Sequence, residues 1–151
     1  MNTVLLINLI KIRWIAIVGQ LTTLFTIFFV FNFTIPLTEC LIVVALSILV
    51  NFYSYFIQRG NPTLNDKKTF LFLLFDISQL VGLLFLTGGV FNPFLVLIVA
   101  PIIISASYLS ALWTILLSLY SILLILIINF NYIPLNWDQS FITPRIYNIG
   151  I

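Results

Sequence analysis

From residue 94 to residue 130 the chain is almost unbroken apolar sequence and carries no charged side chain. As one helix that stretch would be about 55 Å long, against a bilayer hydrocarbon core of ~30 Å. It must therefore turn back on itself. Its least hydrophobic point, residues 108–111, predicts the reversal there, between spans at 93–109 and 112–129, with Trp113 as an interfacial anchor. The rest of the chain fits the same class: 62% of residues are hydrophobic, 7% are charged and the mean hydropathy is +1.24. A length of 151 residues has room for about five or six crossings of ~20 residues and little else. The expected fold is all-α, a polytopic transmembrane helix bundle of about five spans.

Three further spans are expected at 14–33, 37–57 and 69–87. Residues 1–13 read as a short interfacial segment, because Lys11 and Arg13 follow the apolar run instead of preceding it, the reverse of a secretory signal. Residues 58–68 form a polar connector, and residues 131–151 an extracytoplasmic tail rich in turn formers. Lys11, Arg13, Arg59, Lys67 and Lys68 fall on one side of the resulting topology and Arg145 on the other, which predicts a cytoplasmic N-terminus. A formal charge of +2 is too small to suggest nucleic acid. Histidine is absent, which excludes a His-ligated metal or haem, a His-activated nucleophile and a phospho-accepting histidine within this chain. The single cysteine, Cys40, reads as an apolar filler. No catalytic or metal-binding residues are expected.

Two groups of residues stand out. Gly88 and Gly89 end the third expected span, and Asn92 and Pro93 open the fourth as N-cap and first helical residue. Phe91 and Phe94 flank this short turn. It is either a tight hairpin or a place where a flat ring with carbonyl acceptors docks on Asn92 or on free backbone N–H groups. The second group is polar and lies inside the spans: Gln20, Asn51, Asp76 and Gln79, with Ser118 and Ser121 available on the fifth. Polar groups at that depth should face the bundle, either as packing glue or as a protonation-sensitive relay. Asp76 has no evident cationic partner at its depth. It lies about 18 Å of helix from Gly88, so coupling to the turn would require helices to shift.

The sequence around Arg13, Trp14, Ile15 and Ala16, then Gly19 and Gln20, resembles the membrane-spanning sensor region of RegB/PrrB-type redox-sensing histidine kinases. So do Asp76 with Gln79 and Leu80, the run Leu86-Thr87-Gly88-Gly89 followed by Asn92-Pro93-Phe94, and the surroundings of Pro101, Ser105 and Ala106. The resemblance implies a six-span sensor in the bacterial inner membrane. It implies that ubiquinone binds on the periplasmic side at Gly88, Gly89, Asn92, Pro93 and Phe94, with Phe91 able to stack on the ring. The state of the quinone pool would then set the activity of a cytoplasmic kinase. The chain departs from that pattern in lacking a complete sixth span, a phospho-acceptor histidine, an ATP-binding domain and the family's cytoplasmic redox cysteine. It is therefore expected to be no enzyme as it stands. Partners would be the bilayer, a second copy of the chain in a homodimer, and a separately encoded kinase or response regulator. The alternative is a ligand-free structural membrane protein or a gene remnant.

Overall fold

A computed structural model describes residues 2–60, 66–134 and 136–137. Helix α1 (Asn2–Phe25) continues through a π-helical turn (Thr26–Val30). Asn32, with a left-handed φ of 51°, then turns the chain; Asn is among the few side-chain-bearing residues that adopt this conformation readily. Pro36 precedes α2 (Leu37–Gly60), whose first turn carries Glu39 at the positive end of the helix dipole. Helix α3 (Asp66–Leu86) starts in the same way with Asp66. It is followed by a 3₁₀ turn (Gly89–Phe91), a 3₁₀ segment (Pro93–Ile98), α4 (Val99–Tyr108) and α5 (Ala111–Phe130). Two-residue strands β1 (Phe33–Thr34) and β2 (Asn136–Trp137) pair antiparallel, Phe33 with Trp137 and Thr34 with Asn136.

Among the described residues, four helical stretches are long and apolar enough to cross a membrane: Ile10–Val30, Leu37–Phe56, Asp66–Leu86 and Ala111–Phe130. The region expected to hold the fourth of five spans is shorter, at Pro93–Tyr108. Its first six residues are 3₁₀ and rise ~2.0 Å each, so the segment still reaches roughly 27 Å, close to the thickness of the hydrocarbon core. The chain reverses at Leu109 and Ser110, both extended, inside the expected 108–111 turn. No break in α1 separates the residues expected to lie flat from those expected to cross. Residues 61–65 of the polar connector, and residue 135 with residues 138–151 of the tail including Arg145, lie outside the described residues.

Helix α3 is the hub. Leu73, Ile77, Leu80 and Leu84, spaced by four, three and four, present one face to a cluster completed by Ile98, Leu117 and Ile128. Leu83, turned away from that face, joins Ile17, Leu24, Cys40 and Val44 in a second cluster with α1 and α2. Cys40, Val44, Ser47, Asn51 and Ser54 line the buried side of α2. Such small side chains let helices approach closely, which is how packing arises where lipid tails are as apolar as leucine.

Candidate functional site

The face of α3 formed by Asp76, Gln79, Leu83 and Thr87 recurs at helical spacing and looks toward α1 and the segment 93–108. Between these elements lies a cavity of about 310 Å³. Its lining runs from Arg13 and Asp76 at one end, past Gln20 and Gln79, to Thr87, Asn92 and Phe94 at the turn.

The Arg13 end corrects two expectations. Arg13 is not at the interface with residues 1–12 but buried beside α3, and Asp76 does have a cationic partner. Arg13 Nε lies 2.9 Å from Asp76 Oδ1 and donates to Oδ2 at 3.0 Å. Nη2 donates to the Phe72 carbonyl at 2.8 Å, and Nη1 makes a long bond to Ser54 Oγ at 3.4 Å. The guanidinium also lies 4.9 Å from the centre of the Phe72 ring, within reach of a cation–π attraction. Arginine's planar fork suits such a buried pair, since it meets several acceptors at once without a change of protonation. Sequence spacing held one clue to this. A lone carboxylate at the midpoint of α3 requires a partner, and Arg13 lies seven residues from Gln20 on α1, the same face.

One turn further, Gln20 and Gln79 exchange bonds. Gln20 Nε2 donates to Gln79 Oε1 at 3.2 Å, and Gln79 Nε2 to Gln20 Oε1 at 3.1 Å. Asn51 stands apart from this tier: its Nδ2 donates to the Ile10 carbonyl at 3.3 Å, and its buried Oδ1 has no partner among the described residues. Ser118 and Ser121 each return a bond to their own helix, at Thr114 and Leu117, and do not bridge helices. The polar ties between α3, α4 and α5 are instead Ser78 with Tyr120 (2.8 Å) and Ser105 with Thr114 (3.0 Å).

At the turn, Gly88 (φ 106°) and Gly89 (φ 61°) are both left-handed. Asn92 caps the following segment by accepting from Phe94 N–H at 2.9 Å, with Pro93 just after it. Its Nδ2 is also used, donating to Thr87 O at 2.9 Å and Thr87 Oγ1 at 2.8 Å. Gly88 N–H is bonded to Ile133 O, Phe91 N–H to Gly88 O and Asn92 N–H to Gly89 O. Asn92 and these three amides, expected to be available to a ligand, are thus engaged within the chain. Tyr132 covers Gly89: a Cβ added there would lie 2.5 Å from its Cγ. Sequence reasoning missed Tyr132 and the Thr87 hydroxyl. Phe91 is 80% exposed and touches Tyr132 edge-on, while Phe94 lines the cavity. Gly88, Gly89, Phe91, Pro93 and Asn51 are not part of its wall. No cluster of three metal-ligating side chains occurs among the described residues.

A RegB sensor histidine kinase of Cereibacter sphaeroides is 34% identical to the chain over 145 residues, 95% of its length. The chain is a relative of the transmembrane sensor part of RegB sensor histidine kinases. A second RegB of that species is 35% identical over 73 residues, 48% of this chain. The chain spans 31% of the length of the first RegB, and the match to the second covers 16% of that protein. No family model and no solved structure matches it. With its apolar helices, this relationship makes the chain a multi-pass membrane protein and a membrane sensor module of the histidine-kinase type. Of the residues singled out in the sequence, Arg13, Gln20, Asp76, Gln79, Asn92 and Phe94 all line the cavity.

Proposed function

We propose that the chain is a redox-sensing module that takes ubiquinone into the groove between α1, α3 and segment 93–108, and that it reports quinone occupancy to a kinase region outside this chain. The observation that carries this is the continuity of the cavity from the turn to the Arg13–Asp76 pair. Its volume lies at the lower end of small-molecule sites, and its walls are mostly apolar with a few convergent polar groups, as a flat ring with two carbonyls requires. The isoprenoid tail would leave between helices into lipid. Asp76 and the turn then need no separate relay, because one elongated ligand lies against both. In this reading the N-terminus is cytoplasmic and the membrane is the bacterial inner membrane. Catalysis belongs to the kinase region, and the quinone enters no reaction here.

The test is thermal unfolding of the purified chain in lipid nanodiscs, without ligand, with ubiquinone and with an isoprenoid alcohol that lacks the ring. Ligand at a hundredfold excess over its Kd should add about 2.7 kcal/mol. Stabilisation by ubiquinone alone supports the proposal; equal melting in all three conditions rejects it. One observation favours a second reading, a ligand-free structural membrane protein. Asn92 and several of the turn's amides are already bonded within the chain, as a plain hairpin would have them. That reading predicts equal melting.

A further inference from the structure

We propose that residues 131–134 form a latch on the Gly88–Gly89 turn, that quinone held at the turn competes with this latch, and that occupancy is thereby passed to the segment after α5. This rests on the quinone reading above and names the element that responds to the ligand.

The end of α3 is closed from outside its own helix. A left-handed glycine that follows a helix ordinarily sends its N–H back to a carbonyl of the last turn. Gly88 instead donates to the Ile133 carbonyl at 3.0 Å, and Ile133 N–H donates to the Phe85 carbonyl at 2.8 Å. Beside these bonds, the Tyr132 side chain fills the space that a Gly89 side chain would take. This seat exists only while Gly88 and Gly89 keep their left-handed conformation, with φ of 106° and 61°. Further along, β2 pairs with β1, so the same stretch of chain also reaches the connection between α1 and α2.

The groove meets the turn on another side. Thr87, Asn92 and Phe94 line it there, whereas Gly88, Gly89, Tyr132 and Ile133 do not. Thr87 and Asn92 are the polar side chains the groove offers at that end, and both are engaged. Asn92 Nδ2 makes two bonds to Thr87, and Thr87 Oγ1 donates to the Leu83 carbonyl at 2.6 Å. A ring carbonyl held at the turn draws one of these donors from its present acceptor. The Thr87–Asn92 bonds span both glycines, so loosening them frees the backbone on which Tyr132 sits. Ligand and latch favour different arrangements of one turn, and by linkage each weakens the hold of the other.

The experiment uses the full chain in nanodiscs, with fluorotyrosine placed at Tyr132 as a ¹⁹F reporter of the ring's surroundings. Ubiquinone should move this resonance toward that of an exposed tyrosine ring, and an isoprenoid alcohol without the quinone ring should leave it in place. Tyr132→Ala, which has no latch to displace, should bind ubiquinone about fivefold more tightly than the unaltered protein. A residue that merely supported the site would weaken binding when removed. A fixed resonance in protein that binds ubiquinone overturns the latch and leaves the quinone reading standing. So does unchanged or weaker binding by a folded Tyr132→Ala variant. The fluorine measurement keeps the ring in place, so it decides the question even where that variant does not fold. Absence of binding by the unaltered protein overturns both.

Discussion

Removing Asp76 alone should cost more than removing Asp76 and Arg13 together. The Arg13 guanidinium is almost wholly buried and draws its two shortest charged contacts, 2.9 and 3.0 Å, from one carboxylate. Without Asp76 it keeps the Phe72 carbonyl and a long contact to Ser54, too little to replace the water it gave up. Breaking a buried pair from one side typically costs about 3–5 kcal/mol, whereas replacing both members with apolar groups is often close to neutral. Asp76→Leu should therefore destabilise by about 3 kcal/mol or more. Arg13→Met combined with Asp76→Leu should return to within about 1 kcal/mol of the parent protein, leaving a coupling energy of at least ~2 kcal/mol. Arg13→Lys should fall between, since an ammonium keeps the charge but loses the fork that reaches Asp76 and Phe72 together. Reversible unfolding in mixed micelles or bicelles, with Arg13→Met alone included to close the cycle, gives all five stabilities. Additivity of the single variants to within ~0.5 kcal/mol would refute the pairing.

Three further outcomes follow. Gly19 lines the groove and a Cβ added there would have nothing within 4 Å, so Gly19→Leu should fill the cavity while raising stability by up to about 1 kcal/mol through helix propensity; ubiquinone-induced stabilisation in nanodiscs should disappear. Gly89→Ala meets both a left-handed φ and the Tyr132 ring, so it should cost more than the ~1–2 kcal/mol of the backbone alone, and part of that cost should vanish in a Tyr132→Ala background. Asn92→Asp keeps a good N-cap acceptor but aims a carboxylate at the Thr87 carbonyl, so unfolding measurements should find it about as damaging as Asn92→Ala, unlike an ordinary cap.

Much of the bundle is written in one dimension. Apolar length sets the number of long helices, and the turn between α3 and α4 follows from Gly88 with Gly89 and from Asn92 with Pro93, because backbone conformation and capping are local properties. What was hidden depends on partners distant in sequence. Charge counting grouped Arg13 with Lys11 in an interfacial segment, although its partner lies 63 residues away. Asn92 was legible as a cap, but its donors to Thr87 become visible only once the turn has closed. Tyr132 could not be read as the cover on Gly89, since nothing in the sequence says where the chain goes after α5. The 3₁₀ start of segment 93–108 was equally silent, although it is what lets so short a stretch approach membrane thickness.

A photoreactive short-chain ubiquinone, activated in nanodiscs holding the unaltered protein and mapped by mass spectrometry, tests most directly whether the groove is the quinone site. Adducts should fall on the walls of the cavity, on α1 near Ala16 to Thr23 and on segment 93–108 near Leu97 to Ile104, and excess unlabelled ubiquinone should suppress them. Adducts confined to the exposed face of α5, or unaffected by competition, would contradict it.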